Sequence, residues 1–170
     1  MIEIIVYRDG ADAIEEGFSA DDLPDLLADD DNLVWVDIFA NEHDHHENAG
    51  RVLSDVFHFH HLTIEDCRET RNQPKVEAYK NYMFFILHGV KSETNSTNFV
   101  TKELDGYLGR NFIVTYRHEE FRSINNVRQL IRSNSFHCQR GAAYLLHQMF
   151  DHLVDLYMPV VDDFDNNINA

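Results

Sequence analysis

The residues best suited to chemistry are two adjacent carboxylates, Glu65 and Asp66, in the stretch between His58 and Tyr82. Divalent cations such as Mg²⁺ prefer oxygen ligands, and two or three converging carboxylates offset the cost of partly dehydrating the ion. Neighbouring residues of a regular helix point about 100° apart, so these two carboxylates cannot face the same ligand. We therefore expect Glu65 and Asp66 to serve two neighbouring metal sites.

A second group of acids lies near the end of the chain. Asp151, Asp155 and Asp162 fall within about 40° of one another at 3.6 residues per turn, so a helix from Gly141 onward would carry an acidic ridge. The first two acids of this ridge could complete a site with the earlier pair if the helix packs near it. The predicted metal ligands are Glu65, Asp66, Asp151 and Asp155.

Two groups of histidines leave a zinc site open as an alternative, because neutral imidazole is a good zinc ligand. The groups are His43, His45 and His46, and His58, His60 and His61. His58 and His60 would share one face of a strand. However, the spacing is not that of a structural zinc finger, since no pair of cysteines lies nearby, and a solvated first turn of a helix explains the first group without a metal.

The charge of the chain is strongly acidic. The formal net charge is −16 at pH 7, and up to Glu69 the only arginines or lysines are Arg8, Arg51 and Arg68. Such a charge repels phosphate backbones and anionic lipid headgroups and attracts cations. We therefore expect no nucleic-acid partner. A solvated or salt-adapted surface explains the charge of any single acid, and only the clustered acids indicate divalent metal ions as ligands.

The sequence also bears on the compartment. Cys67 and Cys138 are far apart and form no Cys-x-x-Cys motif, and no signal peptide precedes the first predicted strand, so a reducing cytosol fits best. The longest strongly apolar run, Tyr82 to Leu87, is too short to cross a bilayer, which needs about 20 apolar residues.

Motifs of nucleophilic catalysis are absent from the sequence: it contains no Gly-x-Ser-x-Gly, no phosphate-binding glycine loop and no His-Glu-x-x-His. Nucleophilic catalysis therefore has little support in the sequence. A stand-alone metal-dependent hydrolase, built from Asp37, Asp66, Asp151 and the histidines, remains an alternative.

Hydrophobic periodicity predicts one mixed α/β (α+β) domain. Strands are predicted at residues 2–8, 33–39, 75–79, 82–90, 99–108 and 112–117, and helices at 19–29, 41–57, 119–133 and from 141 onward. Because the last four strands follow one another across short turns, the sheet should be mixed but largely antiparallel, with flanking helices. The domain would span residues 1–140, and residues 141–170 would begin a long helix. That helix shows no stop signal, so we expect the chain to be a fragment of a longer protein.

Several blocks of sequence resemble the cytoplasmic domain of CorA-type magnesium transporters. The first is His60, His61, Leu62, Ile64, Glu65 and Asp66, followed by Pro74 to Glu77 and by Tyr79, Asn81, Tyr82 and Phe84. The others are Trp35 to Asp37, then Phe112, Val114, Thr115 and Arg117, then Gly141 with Tyr144 to Leu146, and finally Phe150, Asp151, Val154, Asp155 and Tyr157. These blocks cover most of residues 33–168, in the family's order and spacing.

The resemblance implies the metal-sensing regulatory domain of a divalent cation channel on the cytoplasmic face of the cell membrane, and it implies that the protein is not an enzyme. It implies a homopentamer, in which a long stalk helix leaves the domain toward a pore beyond Ala170. Glu65, Asp66 and Asp151 would supply carboxylates to Mg²⁺ sites between subunits, with further partners from later in the stalk. Bound Mg²⁺ would hold the closed arrangement, and its loss would favour opening.

The sequence departs from the family at one position of its motif. His61 stands where the family commonly has proline, which puts the turn that holds Glu65 in doubt. Zinc-transporting ZntB relatives share the same domain plan, and the surplus of histidines keeps that alternative open. The expected ion is Mg²⁺, with Co²⁺, Ni²⁺ or Zn²⁺ as alternatives.

Overall fold

A seven-stranded sheet forms the centre of the computed structural model, which describes residues 1–41, 43–91 and 100–168. The strands are β1 (Ile2–Arg8), β2 (Glu15–Glu16), β3 (Asn32–Phe39), β4 (Lys75–Ala78), β5 (Met83–Lys91), β6 (Val100–Leu108) and β7 (Phe112–Arg117). Their order is β2-β1-β3-β7-β6-β5-β4. β3 and β7 are parallel, and all other neighbours are antiparallel. The prediction of a mixed, largely antiparallel sheet is therefore confirmed.

The helices flank this sheet as predicted. They are α1 (Leu23–Ala28), α2 (His43–Arg51), α3 (His61–Arg68), α4 (Arg122–Ser133), α5 (Ala142–Asp155) and α6 (Met158–Ile168). A π-helical segment, Val52–Val56, continues α2, and short 3-10 segments precede α1 and α5. The predicted loop at 92–98, and the start of the predicted strand at 99, lie outside the described residues.

Each face of the sheet has its own hydrophobic core, because successive side chains of a strand point to opposite faces. α1, α2 and α3 cover the first face, where Phe84 of β5 and Ile64 of α3 belong to one buried cluster. α4 and α5 cover the second face, where Phe85 and Leu145 belong to another. The sheet therefore separates α3, which carries the candidate carboxylates, from α5, which carries the acidic ridge.

A buried ion network occupies the second face beside the parallel strand pair. The Arg117 guanidinium donates to both oxygens of Asp37 at 3.0–3.3 Å, and Arg128 of α4 donates to the same carboxylate. The hydroxyl of Thr115 donates to Asp37 at 2.7 Å and accepts from the indole nitrogen of Trp35 at 3.0 Å. These contacts compensate the cost of burying Asp37 and Arg117, whose side chains are 2% and 1% exposed.

The C-terminal helical segment is interrupted, which differs from the single helix that the sequence predicts from Gly141 onward. α5 ends at Asp155, and a turn at Leu156 and Tyr157 separates it from α6. The hydroxyl of Tyr157 donates to the carbonyl oxygen of His88 at 2.7 Å, which ties the turn to β5. Pro159 then lies in the first turn of α6, where its missing N–H removes no helical hydrogen bond.

Candidate metal centre

The adjacent carboxylates Glu65 and Asp66 lie on α3, a helix of about two turns. It lies between the π-helical segment and β4 in the chain. His60 caps its start, because its Nδ1 accepts a hydrogen bond from the backbone N–H of Leu62 at 3.3 Å. Ile64 and Cys67 are buried against the sheet. That burial leaves the two residues between them with side chains that reach outward on either side of the helix.

The departure from the family motif at His61 leaves this helix intact. His61 is the first residue of α3, the position at which proline is favoured in helices because its N–H would have no helical partner. Another residue can take helical geometry there without the loss of a hydrogen bond. The helix that holds Glu65 therefore forms with histidine at this position.

Asp66 faces the edge of the sheet and is already paired with a cation. The ammonium of Lys75, on the edge strand β4, lies 2.8 Å from Oδ2 of Asp66 and 3.2 Å from Oε1 of Glu77. The side chains of Asp66 and Lys75 are 26% and 35% exposed, so the pair is partly shielded from water. The hydrogen bond that Lys75 donates to Asp66 holds the pKa of Lys75 above its usual value, so the ammonium stays charged.

Glu65 has different surroundings from Asp66, as their neighbouring positions on a helix predict. It is exposed and lines an open groove of about 460 Å³ between α3 and the segment that begins with α2. The charged or titratable side chains that share the groove are Glu47, Arg51, His61 and Arg68. The two carboxylates therefore lie at two different places on the surface: Asp66 beside β4, and Glu65 in the groove beside α2.

The acids of the ridge lie on the other side of the molecule. Asp151 and Asp155 are one turn apart on α5, and both are exposed. Because α5 packs on the second face of the sheet and α3 on the first, the fold does not bring them to Glu65 or Asp66 within one chain. Across the described residues, no group of three or more His, Cys, Asp or Glu side chains could hold a metal ion.

Three of the described histidines in the two predicted groups are engaged in hydrogen bonds of the fold. His60 uses its Nδ1 lone pair to cap α3, Nδ1 of His58 lies 3.1 Å from the carbonyl oxygen of Ser54, and Nδ1 of His46 lies 2.7 Å from the hydroxyl of Tyr116. His58 and His60 do not belong to a strand. The side chains of His43 and His45 lie outside the described part of the structure.

The three acids of the hydrolase alternative do not form one ligand group among the described residues, because Asp66 lies across the sheet from the other two. Asp37 is buried in its ion network on the second face, Asp66 lies on the first face, and Asp151 is exposed on α5. A metal-dependent active site needs such ligands within a few ångströms of one ion. The described fold gives this alternative no geometric support.

Sequence reasoning missed two charged residues near Asp66. Lys75 and Glu77 occupy alternate positions of β4, a spacing that predicts a shared face but not the helix that faces it.

Asp105 on β6 is fully buried on the first face, and neither of its carboxylate oxygens has a hydrogen-bond partner among the described residues. Burial, reinforced by the charges of Glu103 and Asp66, raises the pKa of Asp105 to about 9.

Comparison with known proteins agrees with this fold and these motifs. Residues 30–170 match the family model of the CorA-like Mg²⁺ transporter protein, so the chain belongs to that family. It is 32% identical over 135 residues to YfjQ of Bacillus subtilis (strain 168), and 26% identical over 174 residues to the cobalt/magnesium transport protein CorA of Thermotoga maritima. These alignments cover 79% and 99% of this chain but 40% and 47% of the relatives, so the chain spans less than half of their length.

Solved structures share the fold at low sequence identity. The soluble domain of CorA from Methanocaldococcus jannaschii is similar with a TM-score of 0.68 and 15% identity, over 98% of this chain and 61% of that one. The ZntB cytoplasmic domain from Vibrio parahaemolyticus is similar with a TM-score of 0.71 and 14% identity, over 99% and 64%. Within the described residues, none of the helices combines the length and the hydropathy that spanning a membrane requires.

Proposed function

We propose that the chain is the cytoplasmic, metal-sensing domain of a CorA-type divalent cation transporter, with Mg²⁺ as the sensed ion. Family membership supports the transporter class, and the magnesium and cobalt named for the Thermotoga relative support divalent cations. The whole protein would lie at the cytoplasmic face of the cell membrane and would reach the bilayer through a region that this sequence does not include. It would act by binding and gating, not by turnover of a substrate.

The observation that carries the proposal is the placement of the candidate ligands. Glu65, Asp66, Asp151 and Asp155 lie on α3 and α5, on opposite faces of the sheet, with at least part of each side chain open to solvent. A single carboxylate binds Mg²⁺ poorly, and one chain cannot bring the two faces together. An ion bound between two copies could use the α3 carboxylates of one copy and the α5 carboxylates of the next. Because each copy would then contact its neighbours through two different faces, the arrangement could close as a ring.

A homopentamer with such shared ions would respond to internal Mg²⁺. Bound ions would offset the repulsion between the acidic faces of neighbouring subunits and so would stabilise the closed arrangement. When the ions dissociate, the carboxylates would repel one another across the interface, and the equilibrium would shift toward an open arrangement. The difference in Mg²⁺ affinity between the two arrangements would set the size of the response.

Calorimetric titration with Mg²⁺, combined with light scattering of the same samples, tests this proposal. Asp66→Asn and Asp151→Asn should each weaken Mg²⁺ binding by about tenfold or more, because each removes a charged oxygen ligand. Asp25→Asn, which removes an exposed acid of α1, serves as the control and should bind as the unaltered chain does. Mg²⁺ binding should also favour association of chains, which light scattering would detect as an increase in mass.

Equal affinities in all variants would refute the proposed ligands. A chain that binds Zn²⁺ more tightly than Mg²⁺, and that loses this binding in His61→Ala but keeps it in Asp66→Asn, would instead support a ZntB-like zinc domain. The fold does not discriminate between the two, because the similarity to the CorA and ZntB domains is about equal.

A further inference from the structure

Lys75 occupies one of the two carboxylate oxygens that Asp66 could offer to a metal ion. Its ammonium lies 2.8 Å from Oδ2 of Asp66, and this distance leaves no room for a second cation on the same side of that oxygen. β4 holds Lys75 by its pairing with Ile86 of β5, so the residue is part of the sheet and not of a loop. The fold therefore holds the backbone of Lys75 within reach of Asp66, while its side chain can reorient.

The ammonium of Lys75 also contacts a second carboxylate, that of Glu77. Its Nζ lies 3.2 Å from Oε1 of Glu77, two residues along the same strand, and 5.6 Å from the centroid of the buried Phe84 ring. Glu77 also accepts a hydrogen bond from the hydroxyl of Tyr79 at 3.3 Å, which orients this carboxylate. If Lys75 left Asp66, Glu77 and the aromatic ring would still stabilise its charge.

We propose that Lys75 is a built-in competitor for the divalent cation at Asp66: it bridges Asp66 and Glu77 when the site is empty, and it gives up Asp66 and keeps its contact with Glu77 when metal binds. The inference rests on the proposed function, since it concerns the same carboxylate. The competition follows from Coulomb repulsion between an ammonium and a divalent ion on one carboxylate. It would weaken metal binding and would reduce the bare negative charge that remains when the ion dissociates.

The expected size of the effect follows from the exposure of the pair. A partly exposed ion pair is worth up to about 1 kcal/mol, which corresponds to about a fivefold change in affinity. Lys75→Met should therefore bind Mg²⁺ about two- to fivefold more tightly than the unaltered chain. Lys75→Arg, which keeps the charge, should stay close to it.

Lys102→Met is the matched control. It removes the same charge, but the ammonium of Lys102 donates to the backbone carbonyl of Glu120 and lies beside the ring of Phe121 on the other face of the sheet. Lys102→Met should therefore change the Mg²⁺ affinity by less than Lys75→Met does. In an Asp66→Asn background, Lys75→Met should give no gain at all, because the competition needs the carboxylate.

A direct measurement on the unaltered chain uses the ¹H–¹⁵N signal of the Lys75 ammonium in nuclear magnetic resonance. Saturating Mg²⁺ should shift this signal, and the shift should disappear in Asp66→Asn. If Asp66→Asn weakens Mg²⁺ binding but Lys75→Met matches Lys102→Met and the ammonium signal does not move, the competitor role is overturned while the proposed function stands. If Asp66→Asn binds Mg²⁺ as the unaltered chain does, the proposed site at Asp66 fails, and the competitor role fails with it.

Discussion

The buried carboxyl of Asp105 makes the stability of this protein depend on pH in a direction opposite to that of most acids. In the unfolded chain this group ionises near its ordinary pKa of 3.8, whereas in the fold burial raises its pKa to about 9. The charges of Glu103 and Asp66 add to the increase, and the charge of Lys75 opposes it. Between these pH values the unfolded chain has released a proton that the folded chain keeps, so the contribution of Asp105 is fully present at low pH and is lost as pH rises.

The size of this effect can be worked out from the linkage between proton binding and folding. The free energy of unfolding should fall by about 1.4 kcal/mol per pH unit through this one group over the interval between its two pKa values. From pH 6 to pH 8 the loss is therefore about 3 kcal/mol. This is a substantial part of the 5–15 kcal/mol that stabilises a typical domain.

Asp105→Asn tests this reasoning, because asparagine has a similar shape and cannot ionise. The unaltered chain should lose about 3 kcal/mol relative to this variant between pH 6 and pH 8. Urea unfolding, followed by the fluorescence of the single and buried Trp35, measures both stabilities. Asp25→Asn, an exposed acid, serves as the control and should follow the unaltered chain. Parallel pH profiles of the unaltered chain and Asp105→Asn would refute the protonated state of Asp105.

Two further predictions concern the packing of the sheet. Asp37→Ala should lower the free energy of unfolding by about 3–5 kcal/mol in urea titrations, because the buried Arg117 guanidinium loses its buried carboxylate partner and keeps the mostly exposed Glu120. A loss below about 1 kcal/mol would contradict this account. Gly106→Ala should cost about 1–3 kcal/mol by the same measurement, because the new Cβ would lie 2.6 Å from the carbonyl oxygen of Val114, which β7 holds in place. A variant as stable as the unaltered chain would show that the strands move apart at no cost.

Most of the fold could be predicted from the sequence because it depends on local patterns. The apolar runs that become β3 and β7 give strands within a residue of the predicted bounds, since their side chains suit a sheet that is buried on both faces. Pro74 ends the polar segment after α3, and β4 begins at the next residue. The short strand β2 was not predicted, because two glutamates carry no hydrophobic signal and form a strand only by pairing with β1.

The candidate site was predictable only in its residue types. The helical position of Glu65 and Asp66 could be read from spacing, and so could the difference in their directions. The pairing of Asp66 with Lys75 could not, because it joins a helix to an edge strand nine residues later. Likewise, no spacing rule shows that α5 lies across the sheet from α3. That placement depends on which face of each strand the two helices cover.

The sequence by itself determined most of the elements, the acidic charge and the family blocks, since periodicity, turn residues and composition act over short distances along the chain. Only the tertiary structure decided which charges meet. It buried Asp37 beside Arg117, left the carboxylate of Asp105 without a hydrogen-bond partner among the described residues, and set the Lys75 ammonium against Asp66. The physical reason is that charge interactions depend on distance in space and on exclusion from water, and both are fixed by packing across the sheet.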